Sequence, residues 1–390
     1  MTPIAIPEDV GSLIGALEGC GYEACAVGGC VRDSLLGKVP ADWDVGTSAL
    51  PEETMACFAE QHLIETGRKH GTVTLMRGGK AYEITTYRID GAYADNRRPD
   101  SVSFVRDLKD DLARRDFTVN AMAFHPERGL TDLFGGIRDL AAGLIRCVGD
   151  PETRFREDAL RIMRALRFAS ALGFSIEPGT AAAMTRLKAL LRNIAAERIA
   201  AEFQKILVGD NAGGVLAEYL PVIQEVLPEL APPAGDLART PKDFAVRLSL
   251  MLRGAEDAGI TLRRLKAGNE TASSVTRLVS FRGAELLNET QVKRILSKLG
   301  AELFVRLLEV KRAEGRIGEA ETIFRTVIDG GQCFSLGGLA VNGRDLLALG
   351  IPPGNRIGEI LGVLLESVIS GDCPNEKTAL LDRAINTSNA

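Results

Sequence analysis

Residues 24–47 read ACAVGGCVRDSLLGKVPADWDVGT. The first four residues are a short apolar run that stops at Gly28-Gly29, the pattern of a buried strand followed by a tight turn. Residues 31–36 carry helical spacing and stop at Gly37, a glycine placed just past a helix end. Residues 41–47 are strand-like. In an extended strand Asp42 and Asp44 share one face, roughly 6–7 Å apart at the backbone. Two carboxylates so placed can converge on hard divalent cations, which prefer oxygen ligands. A pair of Mg²⁺ ions about 3.5–4 Å apart can activate an attacking hydroxyl and stabilise a leaving phosphate oxygen. Taken alone, the Asp-x-Asp pair is equally a solvated strand face. Paired glycines between strand and helix let a phosphate approach backbone N–H groups, and Arg32 on the first turn can clamp phosphate oxygens bidentately, oriented by Asp33. Taken alone, Gly28-Gly29 is equally a plain turn.

Working outward, residues 71–76 and 81–87 are two β-rich runs separated by Arg77-Gly78-Gly79-Lys80, a hairpin signal. Residues 102–105 form a further short strand, and residues 117–123 begin helix-like. Beyond about residue 140 the character changes. Residues 153–207 read as successive amphipathic helices broken near Gly173 and Pro178, prolines punctuate residues 221–241, and helical patterning then resumes to the end. An α/β head is thus followed by a long all-α region.

Two further segments carry chemistry. In Arg114-Arg115-Asp116-Phe117-Thr118-Val119-Asn120, adjacent arginines beside an aspartate can serve a phosphate and a sugar hydroxyl together, and Asp116 is also a good N-cap. In residues 156–167, about 100° per residue along one continuous helix gathers Asp158, Arg161 and Arg164 on one side, with Arg167 at its edge, and apolar residues on the other. That face is equally an i,i+4 salt-bridge ladder.

The composition narrows the functions. The chain has 390 residues, 47 Lys+Arg against 52 Asp+Glu, and a net charge of −5. Its three histidines, 62, 70 and 125, are too scattered for an HExxH zinc site. Seven cysteines without a CxxC fit reduced thiols in the cytoplasm, and no secretory signal or membrane-length apolar run is visible. The mild acidity conceals basic stretches. Residues 151–205 hold ten basic and six acidic residues, and residues 263–298 eight and three. An RNA backbone can face such segments.

In order and spacing, GGCVRDSLLG–DWDVGT, EITTYR, RRDFTVNAM, DLFGGIRDL, VGDPETRFREDALRIMRALRFA and ERIAAEFQKIL resemble the class II tRNA nucleotidyltransferases of the polymerase-beta-like superfamily, which comprise CCA-adding enzymes and bacterial poly(A) polymerases. The resemblance spans about residues 22–210, and 339–368 looks like the family's tail. It implies an α+β nucleotidyltransferase head with a mixed β-sheet (1–140), then an elongated all-α neck (141–208), body (209–330) and tail (331–390). It implies addition of CCA from CTP and ATP to the tRNA 3′ end, with contacts to the acceptor arm, two-metal Mg²⁺ chemistry and release of pyrophosphate. Carried over by motif, Asp42 and Asp44 bind the metal, with Glu83 as a candidate third acidic group. Gly28, Gly29 and Arg32 meet the triphosphate. Arg115, Asp116 and Asn120 meet the ribose side, and Asp158 and Arg161 read the base, with Arg164 and Arg167 in the same pocket.

Hydrogen-bond chemistry gives the base reading its own support. Cytosine and adenine each present an amino donor beside a ring-nitrogen acceptor, which a carboxylate and a guanidinium match, whereas uracil and guanine present the reverse polarity. Within the family the alternatives are a poly(A) polymerase and an A-only or CC-only enzyme. Residues 90–99 resemble the flexible loop of enzymes that complete CCA, and ERIAAEFQKIL looks more like the CCA side. A non-catalytic RNA-binding module would not keep this acidic and basic set, and a sugar-nucleotide transferase would not explain the EDxxR segment. His70, in Lys69-His70-Gly71-Thr72, sits at a recognisable family position, with a structural turn as its plain reading.

Overall fold

The computed structural model describes residues 4–91 and 102–388, so most of the loop resemblance at 90–99 lies outside the described residues. The chain divides into two compact units, Met1–Pro228 and Glu229–Ala390.

The first unit opens with α1 (Glu8–Gly19), β1 (Ala24–Val27), α2 (Gly29–Leu35), β2 (Asp44–Thr47) and α3 (Pro51–Cys57). Next come β3 (His62–Ile64), β4 (Thr72–Arg77), β5 (Lys80–Thr86), β6 (Arg88–Asp90), β7 (Val102–Phe104), α4 (Leu108–Ala113), β8 (Met122–His125), β9 (Gly129–Asp132) and α5 (Gly136–Ala141). Among the described residues, seven strands form a mixed sheet in the order β3-β4-β5-β2-β1-β8-β9. The β2–β5 pair is parallel and its neighbours are antiparallel. The β4–β5 hairpin turns through Gly78 and Gly79, both at positive φ (57° and 76°), the twist a two-residue connection between right-twisted strands needs.

Period-two alternation assigns the two faces of this sheet. Ala24, Val45, Leu75 and Ile84 pack on one face against Val10, Leu13, Ile14 and Leu17 of α1. Cys25 and Val27 point the other way, into a second core with Tyr87, Leu112 and Ala123. By the same alternation, Asp44, Glu83 and Thr85 lie off the first core. Asp44 is registered opposite Glu83, and Thr85 opposite both Gly46 and Thr72.

Two expectations need correction here. The strand expected over 41–47 begins only at Asp44. Half-buried Trp43 packs against the α1 core, and Asp42 lies ahead of the strand, near enough for its charge to be felt at Asp44. Residues 117–123 are not helical beyond one 3₁₀ turn, Thr118–Asn120, which leads directly into β8. Thr118 is tied instead to Asp139 through its hydroxyl (2.8 Å) and to the Arg146 carbonyl through its N–H (2.9 Å).

Five helices complete the first unit: α6 (Pro151–Glu157), α7 (Leu160–Leu172), α8 (Pro178–Leu187), α9 (Ala196–Leu207) and α10 (Ala212–Ile223). The expected breaks are present. Gly173 closes α7 at φ 72°, and Pro178 is the first residue of α8. The continuous helix over 156–167 is not. Asp158 adopts an extended conformation (φ −134°, ψ 104°) between α6 and α7. Its carboxylate accepts from the Leu160 N–H (3.0 Å) and from Arg198 (2.9 Å), and these bonds stabilise the break. Helix α7 buries Ile162, Met163 and Leu166, and α9 buries Phe203 and Ile206, each worth about 1.5–3 kcal/mol of transfer free energy.

The second unit is helical: α11 (Phe244–Ser249), α12 (Ala255–Arg264), α13 (Asn269–Phe281), α14 (Glu289–Leu299), α15 (Ala301–Ala313), α16 (Ala320–Asp329), α17 (Gly343–Ala348), α18 (Asn355–Ser370) and α19 (Lys377–Ser388). Its last three helices enclose a core of their own around Leu346, Ile360, Leu364 and Leu380. All seven cysteines are free thiols. Cys20 is exposed and Cys57 half-buried, and the rest are buried like small hydrophobes. No described helix is long and apolar enough to cross a membrane.

Candidate active site

A cleft of about 810 Å³ lies within the first unit. The sheet supplies Asp44, Thr72, Glu83 and Thr85, and the β1–α2 turn supplies Gly28, Gly29 and Arg32. Residues 114–120 supply Arg114, Arg115, Asp116 and Asn120, and the helices supply Asp158, Arg161, Arg164, Arg167, Phe168 and Arg198. Every residue carried over by motif is therefore brought together here except Asp42, which does not line the cleft.

The β1–α2 turn explains its own glycine. Gly28 sits at φ 81°, ψ −126°, a backbone region closed to residues with a side chain. A β-carbon there would stand 2.6 Å from Nη1 of Arg115. The guanidinium thus occupies the space that the missing side chain leaves. At Gly29 a β-carbon would meet only Arg32, at 3.7 Å, an ordinary contact.

A chain of charge-assisted hydrogen bonds fixes the arginines. Arg32 donates to Asp33 (2.9 Å) and, through Nη1, to Oδ1 of Asn120 (2.6 Å). Asn120 donates to Asp116 (3.2 Å), and Arg164 donates to the other oxygen of Asp116 (2.7 Å). Burial of Asp116 favours its neutral form, but Arg164 and Asn120 outweigh it and hold the carboxyl down at about 2. Asp111, nine-tenths and more buried, takes both Arg114 (2.7 Å) and Arg115 (3.0 Å). Burial pushes its pKa up, yet the two guanidinium groups bring it below the usual carboxylate range. Phe168 serves as a platform for three cations: Arg167 lies 4.2 Å from its ring centre, Arg32 5.1 Å and Arg164 5.5 Å.

The Asp158 and Arg161 side chains are each held by other residues. Asp158 is held by Arg198, as above. Arg161 donates to Glu157 (2.5 Å) and to the Arg114 carbonyl (3.0 Å). Both side chains are thereby locked in place at one end of the cleft. Sequence reasoning did not single out Phe168 or Arg198. Arg198 lies in the ERIAAEFQKIL segment, but its target is 40 residues upstream.

The paired central strands β2 and β5 carry the acidic side of the cleft, Asp44 and Glu83. Asp44 keeps an open side toward solvent, yet the protein packed around its carboxylate raises its pKa, and the nearby charges of Glu83 and Asp42 push the same way, against Arg115. Among the described residues no group of three or more His, Cys, Asp or Glu side chains is placed to hold a metal ion by itself. The local chemistry still fits a hard divalent cation. Crowded carboxylate charge is what such an ion relieves, and ions of the Mg²⁺ type keep sites open for water and substrate phosphates.

Comparison with known proteins places relatives beside this chain. Residues 24–146 match the family model described as the poly A polymerase head domain. Residues 173–232 match that of an RNA- and SrmB-binding site of polymerase A, and residues 240–384 that of tRNA nucleotidyltransferase domain 2. The CCA-adding enzyme of Levilactobacillus brevis is 40% identical over 380 residues, covering 94% of each chain. That of Lactiplantibacillus plantarum is 39% identical over 387 residues, covering 95% of this chain and 94% of the other. The crystal structure of the Bacillus stearothermophilus CCA-adding enzyme in complex with CTP superimposes with a TM-score of 0.80 at 33% identity, covering 97% of this chain and 96% of that one. The Thermotoga maritima CCA-adding enzyme complexed with tRNA shares the fold, with a TM-score of 0.72 at 23% identity over 98% of this chain and 96% of that one.

Proposed function

The chain belongs to the family of CCA-adding enzymes, and on that premise we propose that its cleft transfers CMP, CMP and then AMP from CTP and ATP to the 3′ end of tRNA, releasing pyrophosphate. The observation that carries the reading is the charge of one cleft: eight arginines line it, and Asp44 and Glu83 stand side by side on two central strands of its sheet. A triphosphate needs the first and a phosphoryl-transfer metal the second.

In this reading Arg32 meets the triphosphate and Arg115 the ribose side with Asp116 and Asn120, while Arg164 and Arg167 stand by the base pocket. Preorganised guanidinium groups stabilise the charge that builds on the leaving pyrophosphate without reorganising during the step. Asp158 accepts the amino group of cytosine or adenine while Arg161 donates to the ring nitrogen. Uracil and guanine would set carbonyl against carboxylate and N–H against guanidinium, leaving buried polar groups unpaired. Asp42 and Asp44 hold the divalent cation, assigned as Mg²⁺, with Glu83 opposite Asp44 as a third acidic group. The cation, when bound, supplies Lewis-acid activation of the tRNA 3′-hydroxyl and charge neutralisation at phosphate. No side-chain nucleophile is required. The helical segments after the head, taken as neck (141–208), body (209–330) and tail (331–390), would carry the base pocket and the tRNA. The compartment is the cytoplasm. Incubating tRNA that lacks CCA with each nucleoside triphosphate singly and together, read on a sequencing gel, tests the proposal. Extension by two residues with CTP alone and by three with CTP and ATP is expected. An adenylate ladder, or no extension, contradicts it.

A further inference from the structure

Resting on that reading, we propose that His70 binds the acceptor RNA, donating to the phosphodiester that joins its last two nucleotides. His70 lines the cleft with Thr72, Thr85 and Arg88, next to the strands that carry Glu83 and Asp44. Its side chain is exposed, and no described hydrogen bond engages its imidazole. The turn beneath it is, by contrast, fixed at several points. The His70 N–H bonds to Gly67 (2.8 Å), the Gly71 N–H to Arg68 (2.9 Å) and the Thr86 N–H to Gly71 (2.8 Å). The Arg88 guanidinium donates to the His70 carbonyl, and Arg68 is anchored to Glu52 (2.7 Å). Gly71 stands at φ 84°, where a β-carbon would lie 2.8 Å from the Phe104 ring. A rigid turn that presents an imidazole into the cleft is preorganised for a ligand.

The sheet says which ligand. In-line displacement puts the attacking hydroxyl and the leaving pyrophosphate on opposite sides of the α-phosphate. The arginine wall takes the pyrophosphate side. The acceptor strand therefore runs out over the other side of Asp44, along the face that carries Glu83, Thr85 and Thr72, and His70 stands at its end. Thr72 sits across from Thr85, two residues along β5 from Glu83, which pairs with Asp44. Two strand spacings and two residues put Thr72 on the order of 10 Å from Asp44 at the backbone, and His70, two residues before Thr72, about one nucleotide back along the acceptor. An imidazole N–H is a donor, and the group to be met there is a phosphodiester oxygen.

The test measures steady-state CMP addition with His70→Ala and His70→Gln, using tRNA lacking CCA whose last linkage is either natural or a methylphosphonate, which removes one charged oxygen. Loss of one hydrogen bond to a charged group corresponds to about tenfold. His70→Ala should raise KM for tRNA by about tenfold and leave KM for CTP unchanged. His70→Gln, which keeps an N–H donor, should recover most of it. The methylphosphonate should cost the wild type a similar factor and cost His70→Ala little more. A rise in KM for CTP, an unchanged KM for tRNA, a Gln variant no better than Ala, or a methylphosphonate penalty undiminished in His70→Ala overturns the assignment. If the wild type extends no tRNA at all, the functional reading falls instead. Unaltered thermal unfolding of both variants keeps the comparison clean.

Discussion

Replacing Gly28 and Gly29 one at a time by alanine separates two glycines that look equivalent in the sequence. At Gly28 the backbone angles (φ 81°, ψ −126°) are open essentially to glycine alone, which sets a cost on the order of 1–3 kcal/mol. The new β-carbon would also stand 2.6 Å from Nη1 of Arg115, so the guanidinium must retreat by roughly 1 Å to reach ordinary contact. A misplacement of that size costs about 10²-fold in a positioned reaction. Gly28→Ala should therefore lower the melting temperature by about 4–8 °C, for some 2 kcal/mol in a unit of this size, and reduce single-turnover CMP transfer about a hundredfold. Gly29 has an ordinary helical backbone, and its β-carbon would meet Arg32 at 3.7 Å. Gly29→Ala should leave the melting temperature unchanged or slightly raised, since alanine is the better helix residue, and any loss should appear in KM for the nucleotide. Differential scanning fluorimetry and rapid-quench transfer read the two quantities. Equal destabilisation by the two substitutions would refute the role given to Arg115 against Gly28.

Asp158→Ala should relax base choice more than it slows addition of the correct nucleotide, and Arg198→Ala should do the same to a lesser degree because it frees Asp158 without removing it; competition between CTP and UTP checks both, and equal losses for all four nucleotides would contradict the base reading. The Asp116 carboxyl falls from an ordinary 3.8 to about 2 on folding, so its contribution is complete above about pH 4 and is lost as pH falls toward 2. Asp116→Asn should cost on the order of 2 kcal/mol near neutrality, measured by urea unfolding, and flatten the stability profile between pH 4 and 2.

Local pattern made much of this molecule legible. The apolar run before Gly28, the Gly78-Gly79 hairpin and the Gly173 and Pro178 breaks each state their structure within a few residues, because turn chemistry is local. The motif residues likewise fall around one cleft, apart from Asp42. What escaped is tertiary in origin. Nothing within residues 156–167 marks a helix break, since the segment contains neither glycine nor proline. The break is held by Arg198 from α9, and a helical wheel drawn through Asp158 misplaces it. The later start of β2, with half-buried Trp43 packed against the α1 core just ahead of it, was likewise unmarked. Phe168 reads as one more apolar residue of α7, and its service to Arg32, Arg164 and Arg167 appears only once those side chains are brought around it.

The central claim is that Asp44 and Glu83 on the central strands carry the transfer chemistry while the arginine wall holds the nucleotide. CMP addition to tRNA lacking CCA, measured for Asp44→Asn at saturating Mg²⁺ alongside CTP binding by calorimetry, tests it most directly. The expected result is loss of transfer with CTP binding largely retained. Transfer within tenfold of the wild-type rate would contradict it, and so would loss of CTP binding in step with activity.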